Sequence, residues 1–341
     1  MDKLISFIWP ISFLMSFLIS LITIKSSINI LNKTKIFDIP NERSSHKIPT
    51  PKGAGIGMIA TLLIIHYAIF SINDFLFSGA IVILTLVSFI NDKNQISIIL
   101  RLITQVILTA IILIFWDPLE NIIFFNSIIP FWLEKIIILF FIIWAINLFN
   151  FMDGIDGIAG VQCVIIGIGV GSCLYLSQET YKFQQIIAGF FAGSGLAFLL
   201  WNWHPAKVFL GDAGSIPLGF INAILMLLLC KNGLWYVVII INNYYFADST
   251  ITLFRRIKMK QKPWQAHKDH FYQKAVQNGK SHANVSKDIA IHGIFLITLA
   301  SFTTIAESLI LIILSIIISS LSTVYLLYYL NKKPTPNAKV L

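Results

Sequence analysis

The centre of the sequence reads Asn147-Leu-Phe-Asn150-Phe-Met-Asp153-Gly-Ile-Asp156-Gly-Ile-Ala-Gly160. Long apolar runs flank this stretch, Ile136–Ile146 before it and Val161–Leu176 after it. Two carboxylates at the mouth of an apolar span are costly to hold near lipid, so they need a cation, a hydrogen-bonding neighbour or water. A polar loop with one Asp as a helix N-cap accounts for only one of them. The pattern therefore favours a functional site between two membrane spans.

The composition indicates a helical membrane protein. Hydrophobic residues make up 57% of the 341 residues and charged residues only 12%, and the mean hydropathy is +0.80. The apolar runs do not alternate with polar residues, as the strands of a membrane β-barrel would. Cys163, Cys173 and Cys230 lack a metal-type spacing, which excludes a zinc or haem site built on thiolates. We expect an all-α, polytopic bundle.

The apolar runs divide into about eleven spans of about 20 residues each. Residues 1–331 are expected to form a single integral-membrane domain, and 332–341 a short cytoplasmic tail. The first run is too long for a signal-peptide core and is read as a retained span. A short break around Glu307 separates the last two. The predicted spans are 4–24, 54–72, 76–90, 98–116, 131–149, 158–176, 185–201, 215–230, 234–253, 289–306 and 308–330.

Basic residues predict the orientation of the bundle. Most of the 25 Lys and Arg residues fall in the loops 33–52, 91–101, 202–214 and 254–288 and in the tail, which marks this face as cytoplasmic. The N-terminus is then outside and the C-terminus inside. The net charge of +9 is explained by this topology, so no nucleic-acid partner is needed. Every polar motif falls on the same face, whereas a transporter would place ionisable groups along its spans.

Two further polar motifs lie on that face, and one of them suits phosphate groups. The loop that runs from Asp38 to Gly55 carries Arg43, His46 and Lys52, which suit phosphate or diphosphate oxygens; an ordinary basic loop remains the alternative. Asn91-Asp92 ends the third span, with Arg101 and Gln105 following at helical spacing. A helix cap with a surface ion pair is the simpler interpretation of that second motif.

The motif Phe209-Leu-Gly211-Asp212-Ala-Gly214-Ser215 opens the eighth span. Amides at a helix N-terminus favour phosphate, and Asp212 suits a hard cation beside it. Phe209 either stacks on a flat ring or anchors the loop at the lipid surface.

The last cytoplasmic loop contains His267-Lys-Asp269-His270-Phe-Tyr272-Gln273 after Asp248 and the pair Arg255-Arg256, and before Ser281-His282. Without thiolates or an i, i+4 His pair, zinc is disfavoured there, and cationic contacts to a phosphorylated substrate are the better interpretation.

The carboxylates on this face form an oxygen-only set. It comprises Asp92, Asp153, Asp156 and Asp212, with Asn150 nearby. Together with basic loops, such oxygen ligands indicate Mg²⁺, or alternatively Mn²⁺, bridging a diphosphate. The membrane setting implies that one substrate lies in the lipid.

The chain resembles the polyprenyl-phosphate N-acetylhexosamine-1-phosphate transferases of glycosyltransferase family 4. The matching motifs occur in the family's order over nearly the whole chain. The last loop looks most like the branch that initiates O-antigen and other cell-envelope glycans, because the peptidoglycan branch carries a triple His there. The matching stretches are Asp38–His46, Pro49–Gly53, Asn147–Gly160, Phe209–Ser215 and His267–Gln273.

The resemblance implies transfer of a sugar 1-phosphate from a UDP-N-acetylhexosamine to undecaprenyl phosphate at the inner face of the bacterial cytoplasmic membrane, with release of UMP. It implies that Asp212 binds Mg²⁺, with Asp92 as a further ligand, and that Phe209 stacks on uracil. Asn150, Asp153 and Asp156 would contact the nucleotide and the reacting diphosphate. His267 and His270 would hold diphosphate or sugar.

Asn91 departs from the family, which usually shows an Asp-Asp pair at 91–92. An amide cannot serve as a base, so Asp92 or Asp153 takes that role, or none is needed because a phosphate monoester is already largely ionised. The donor sugar stays open, and a homodimer is possible. Two alternatives are weighed: a lipid or sugar-phosphate transporter, and a CDP-alcohol phosphatidyltransferase, whose Ala-Arg pair is missing after Asp153.

Overall fold

The computed structural model describes residues 8–40, 48–69, 75–94, 96–120, 122–124, 128–177, 181–262 and 267–333, and these residues are almost entirely helical. The all-α prediction is confirmed. A two-residue antiparallel pair, β1 Phe37–Asp38 with β2 Thr50–Pro51, is the one sheet in these ranges. In chain order the helices are α1 Ile8–Thr34, α2 Gly55–Ile69, α3 Phe75–Asn94, α4 Ile98–Phe115, α5 Asp117–Glu120, α6 Phe131–Phe151, α7 Ile158–Leu176, α8 Lys182–Asn202, α9 Asp212–Lys231, α10 Trp235–Ile241, α11 Asn243–Lys258, α12 Phe271–Gln277, α13 His282–Ala306 and α14 Leu309–Asn331.

The chain is a multi-pass membrane protein. Within the described ranges, nine helices are long and apolar enough to cross a membrane, and ten if a bent pair is counted as one span. Helix α2 has only 15 residues, or about 22 Å of rise, which is less than the usual hydrocarbon thickness. The predicted count of eleven therefore stays a prediction. The break at Glu307 is present, where the backbone adopts φ +46° between α13 and α14.

The predicted span 234–253 differs from the structure. It forms two helices, α10 and α11, that meet at Asn242 with a bend of 66°. The side chain of Asn242 is buried, and its Oδ1 accepts a hydrogen bond from Nδ2 of Asn222 in α9 at 3.0 Å. The buried amide of Asn242 thus finds its hydrogen-bond partner at the bend, where the regular helix is interrupted. Apolar periodicity gave no sign of this bend.

Helix α9 lies at the centre of the bundle. In its most apolar window 94% of residues are buried, against 22% to 39% for α1, α3, α4, α6, α13 and α14. It packs against α2, α3, α6, α8 and α10. A helix that is apolar on all sides suits either lipid or a protein core, and here the neighbouring helices supply most of its surroundings. Its first residue is Asp212, so this packing brings the predicted carboxylate to the middle of one end of the bundle.

The two ends of the bundle differ in chemistry. At one end, aromatic rings meet where α3 and α8 begin and α4 ends: Phe77 stacks on Trp116 at 5.2 Å, and Phe183 meets both rings edge-on. At the opposite end lie the end of α3 and the beginnings of α4 and α9, where Asp92 and Arg101 contact the first turn of α9. The predicted polar motifs meet at this second end, hereafter the polar end.

Candidate active site

Asp92 caps the N-terminus of α9. Its Oδ1 accepts the amide of Asp212 at 3.1 Å, and its Oδ2 accepts the amide of Ala213 at 3.0 Å. Lys52 Nζ lies 3.0 Å from Oδ1, and the Asp92 side chain has no exposed surface. A Cβ at Gly211, where φ is +75°, would lie 2.5 Å from Asp92 Oδ2, so the close approach requires glycine. Asp92 is thus a buried cap of another helix, and the surface ion pair is the wrong interpretation.

Asp212 collects donors from three helices. Its Oδ2 accepts Asn91 Nδ2 at 2.7 Å and Arg101 Nη1 at 2.8 Å, and its Oδ1 accepts Asn150 Nδ2 at 3.1 Å. Asn150 also donates to Ser215 Oγ at 2.7 Å. The contacts fix the orientation of the carboxylate at the helix end, where amide dipoles favour negative charge. The predicted association of Asp92, Asn150 and Asp212 is therefore present in the folded chain.

Asp153 faces the same cluster from the turn between α6 and α7. Burial, and then the charge of Asp212, raise the pKa of the Asp153 carboxyl to about 7, while Lys52 opposes the shift. Within the described part of the chain, nothing donates a hydrogen bond to this carboxylate. A carboxylate with raised pKa and no partner, beside two other carboxylates, is the arrangement expected of a ligand or cation site.

The chemistry of the donor set, carboxylate oxygen alone, suits a hard divalent cation. Asp92, Asp153 and Asp212 supply carboxylate oxygens, which Mg²⁺ prefers over nitrogen or sulfur. Asp92 and Asp212 each have three partners, but the side chain of Asp212 is 18% exposed and that of Asp92 is not exposed at all, so Asp212 is the more accessible of the two. Lys52 and Arg101 add positive charge beside them. The charges of Asp92 and Asp212 outweigh burial and raise the pKa of Lys52, so this amine is charged at neutral pH.

Lys52 reaches the cluster because its loop pairs with the chain before α9. Phe209 N donates to Pro51 O at 2.8 Å, and Gly53 N donates to Phe209 O at 3.1 Å. The ring of Phe209 is partly exposed next to this junction. Arg43 and His46, the other two predicted phosphate contacts, lie outside the described residues. Their roles stay predictions.

Asp156 lies apart from the other carboxylates. Its Oδ2 is 2.6 Å from His204 Nδ1 and accepts the amide of Ala206 at 3.2 Å, and its Oδ1 is 3.2 Å from His282 Nδ1. Burial opposes ionisation, but the bonds to His282 and His204 outweigh it and lower the pKa of Asp156. Its assignment as a catalytic residue stays a prediction. Sequence reasoning missed His204, for which the only signal was a position on the basic face.

The last loop is anchored by Asp248, which is fully buried. Its carboxylate lies 3.0 Å from His270 Nδ1 and accepts the amides of Phe271 at 3.0 Å and Tyr272 at 3.3 Å. Tyr244 and Thr252, on the same helix α11, donate their hydroxyls to it as well. His270 therefore faces Asp248, and its contact with substrate stays a prediction. Asp248 was noticed in the sequence without a role.

His267 stacks on His270 with ring centroids 5.0 Å apart. Burial, then the charges of His270 and Arg256, lower the pKa of His267 to about 4. Its imidazole is therefore neutral near pH 7 in this structure, and its contact with the diphosphate or sugar stays a prediction. Arg256, near the end of α11, contacts Asp269 of this loop.

Tyr272 joins the last loop to the central motif. Its hydroxyl donates to Phe151 O at 2.9 Å. A Cβ at Gly154 would lie 2.2 Å from the same hydroxyl, so the bare edge at this glycine is filled by a side chain of the protein. The loop that carries His267 is thereby held next to Asp153.

A cavity of about 200 Å³ opens beside Arg101, between α4, α6 and α11. Its polar wall consists of Arg101, Gln105, Asn147 and Asn150, in which Asn147 Nδ2 donates to Gln105 Oε1 at 2.8 Å. Apolar side chains of α4 and α11 form the rest of its lining. The cavity is therefore apolar over part of its wall, and its polar wall includes Arg101 and Asn150, which donate to Asp212.

These features define a membrane-embedded enzyme whose acidic and basic groups meet at one end of a helical bundle. Residues 75–230 match the family model for "Glycosyl transferase family 4". This range contains the Asn91-Asp92, Asn147–Gly160 and Phe209–Ser215 motifs. The resemblance to the polyprenyl-phosphate N-acetylhexosamine-1-phosphate transferases seen in the sequence is confirmed by this match and by two relatives.

Two relatives match over most of their length. The chain is 28% identical over 292 residues to a "Probable undecaprenyl-phosphate N-acetylglucosaminyl 1-phosphate transferase" of Bacillus subtilis, covering 80% of this chain and 79% of the relative. It is 27% identical over 262 residues to an "Undecaprenyl-phosphate alpha-N-acetylglucosaminyl 1-phosphate transferase" of Thermotoga maritima, covering 73% and 77%. A "Phospho-N-acetylmuramoyl-pentapeptide-transferase" of Psychrobacter cryohalolentis matches at 37% over 107 residues, only 27% and 29% of the two chains.

Proposed function

We propose that the protein transfers an N-acetylhexosamine 1-phosphate from a UDP-sugar to undecaprenyl phosphate and releases UMP. The observation that carries the proposal is the cluster of Asp92, Asp153 and Asp212 at the start of α9, flanked by Lys52 and Arg101. The names of the relatives of Bacillus subtilis and Thermotoga maritima support the same reaction. By the distribution of basic loops, the polar end faces the cytoplasm and the protein lies in the bacterial inner membrane.

The cavity beside Arg101 suits the lipid substrate. Its apolar lining from α4 and α11 fits isoprenoid chain, and Arg101 and Asn150 supply donors for the phosphate at its polar wall. The lipid phosphate would thus reach the Asp212 cluster from within the bundle. The nucleotide would approach from the solvent side, where Lys52 suits the diphosphate and the partly exposed Phe209 suits the uracil ring.

The reaction is an in-line displacement at phosphorus. An oxygen of the lipid phosphate bonds to the sugar-linked phosphorus of the UDP-sugar, and the bond from that phosphorus to the bridging oxygen breaks. The bridging oxygen leaves with the electron pair on UMP. The attacking monoester has a second pKa of about 6, so its oxygen is ionised near neutral pH without a base. Asn91 therefore presents no obstacle to this chemistry.

Charge stabilisation is the main task of the site, as in phosphoryl transfer generally. Lys52 and Arg101 face the negative charge of the two phosphorylated substrates. Asp212 and Asp92, with Asp153 beside them, would hold Mg²⁺ or alternatively Mn²⁺. When bound, such an ion neutralises diphosphate oxygens and orients them. The product, a polyprenyl-diphosphate-linked sugar, would start O-antigen or another cell-envelope polymer.

The test is transfer of radiolabel from a panel of UDP-N-acetylsugars into the organic phase, using purified full-length protein and undecaprenyl phosphate with Mg²⁺ or EDTA. We expect Mg²⁺-dependent lipid labelling and equimolar UMP. Asp212→Asn should lower turnover by about 100-fold or more with the thermal unfolding temperature nearly unchanged. The matched control is Asp117→Asn, an exposed carboxylate at the opposite end of the bundle. Near-normal activity of Asp212→Asn would refute the metal assignment, and no transfer from any donor by folded protein would refute the reaction and favour a transporter.

A further inference from the structure

A second cluster of possible metal ligands lies at the polar end. Asp156, His204 and His282 come from three separate elements: the turn after α6, the segment after α8, and the first residue of α13. Each residue offers one ligand atom, and these atoms all lie within 4.8 Å of one another. Asp156 and His282 are largely buried, while the side chain of His204 is 40% exposed. Asp156 and His282 thus hold fixed positions inside the protein, while His204 leaves the cluster accessible from solvent.

The contacts of His282 Nδ1 with Asp156 compete with each other. His282 Nδ1 lies 3.3 Å from the backbone nitrogen of Asp156 and 3.2 Å from Asp156 Oδ1. With its lone pair this nitrogen can accept the amide, and with a proton it can donate to the carboxylate, but it cannot do both. A cation bound to the nitrogen and to the carboxylate would remove this conflict. The other oxygen, Oδ2, is already served by His204 and by the amide of Ala206.

We propose that Asp156, His204 and His282 bind a divalent transition-metal ion of the zinc type, at a site separate from the oxygen cluster around Asp212. Two imidazoles and one carboxylate, with a fourth position open to solvent, form a recognised ligand set for zinc. Bond lengths of about 2.0–2.2 Å place tetrahedral ligand atoms about 3.3 Å apart. The contact between His282 and Asp156, at 3.2 Å, is near this spacing. The contact between His204 and Asp156, at 2.6 Å, is shorter, so the exposed His204 ring has to shift when an ion binds.

The two sites differ in selectivity. Imidazole nitrogen favours Zn²⁺, Co²⁺ and neighbouring ions, whereas Mg²⁺ prefers oxygen ligands only. Millimolar Mg²⁺ therefore loads the Asp212 cluster without occupying the histidine site. An ion that prefers nitrogen ligands, added at low concentration while excess Mg²⁺ competes for the oxygen cluster, reports mainly on the histidine site.

An ion at this position would tie together three segments that frame the active site. Asp156 is three residues from Asp153, and His204 begins the segment that leads to Phe209 and Asp212. Ser286 Oγ donates to Asp156 O at 2.7 Å and already links α13 to the same turn. Metal binding would therefore stabilise the folded bundle, since an ion that binds only the native state adds its binding free energy to stability.

The test uses Co²⁺ as a spectroscopic probe on purified full-length protein with a histidine-free affinity tag, stripped with EDTA and kept in Mg²⁺. We expect one Co²⁺ per chain with the intense visible absorption of a four-coordinate ion, displaced by Zn²⁺, and a raised unfolding temperature. His204→Gln and His282→Gln should each weaken binding by about tenfold or more. His292→Gln, a histidine of α13 outside the cluster, is the matched control.

Folding is checked separately by size-exclusion profile and unfolding temperature without metal, and the exposed His204 makes His204→Gln the safer variant. Unchanged Co²⁺ affinity in folded His204→Gln, or no bound Co²⁺ at about 100 µM, well above usual affinities for such sites, would overturn the proposal. The cluster would then be held by a proton between His282 and Asp156. The outcome does not depend on sugar transfer, so failure here is distinguishable from failure of the proposed reaction.

Discussion

Asn91 Nδ2 donates to Asp212 Oδ2 at 2.7 Å, so the amide of one residue directly orients the carboxylate at the start of α9. A carboxylate at position 91 would have no proton to give and would add a third negative charge beside Asp92 and Asp212. Asn91 therefore stabilises the Asp212 carboxylate with a hydrogen bond from a neutral donor, as a bound cation would with its charge.

The first prediction concerns Asn91→Asp. Replacing the donor by an acceptor creates like-charge repulsion with Asp212, which should lower the unfolding temperature in EDTA. Added Mg²⁺ should relieve the repulsion, so the stabilisation by Mg²⁺ should exceed that of the unmodified protein. Thermal unfolding with and without Mg²⁺ measures both effects. Asn94→Asp, exposed at the end of the same helix, is the control, and an equal Mg²⁺ shift in all three proteins would contradict the prediction.

The second prediction concerns Arg101→Lys, which keeps the charge but loses the planar fork of donors. Arg101 bonds Asp212 and lines the cavity assigned to the lipid phosphate. We expect KM for undecaprenyl phosphate to rise about tenfold, equivalent to one charge-assisted hydrogen bond of about 1.5 kcal/mol. The KM for the UDP-sugar should change less. Steady-state kinetics with each substrate varied in turn measures both KM values. The control is Lys93→Ala, at an exposed position. Equal rises in both KM values would place Arg101 away from the lipid phosphate.

The third prediction concerns Asp248→Asn. The buried carboxylate serves five donors from α11 and the last loop, and an amide would turn its own N–H groups toward some of them. Each buried donor left unpaired costs about 1–3 kcal/mol. We expect a clear loss of stability together with lower kcat, since the loop carrying His267 is no longer held against the central motif.

A milder variant separates the two effects of that change. Tyr272→Phe removes only the hydroxyl bond to Phe151 O, which should cost about 0.5–1.5 kcal/mol. Thermal unfolding and transfer rates are measured for both variants. If Asp248→Asn unfolds at the temperature of the unmodified protein, the carboxylate network is not what anchors the loop.

The fourth prediction is a pH dependence that arises from His267. Its pKa is lowered to about 4 in the folded chain, against an ordinary value of 6.5. Between these two values the unfolded chain binds more protons at this residue, so its contribution to stability falls as the pH drops from 6.5 toward 4. His270, Arg256, Asp269 and Asp248 surround the ring and set the shift.

His267→Gln should therefore flatten part of the decline in unfolding temperature between pH 7 and pH 5. The measurement is a series of thermal unfolding curves in detergent for both proteins. A decline of the same steepness in His267→Gln would show that His267 is not protonated in this range upon unfolding.

The sequence was sufficient for the architecture in outline. Long apolar runs predicted an all-helical membrane bundle, and the break at Glu307 was visible as a polar interruption between two such runs. The motifs around Asp153 and Asp212 stood out because carboxylates beside apolar spans are rare. These features are local along the chain, and hydropathy reports local features directly.

The interactions within the site were decided by tertiary structure alone. Asp92 caps α9 from a position 120 residues earlier in the chain, and Asp156 meets His282 across 126 residues. No periodicity specifies such partners, because they follow from how the helices pack around α9. For the same reason Asp153 and Asp156, three residues apart in one motif, belong to different clusters: the turn after α6 points them to different neighbours. The sequence determined which residues are polar at the membrane edge, and the packing of the helices determined what each of them binds.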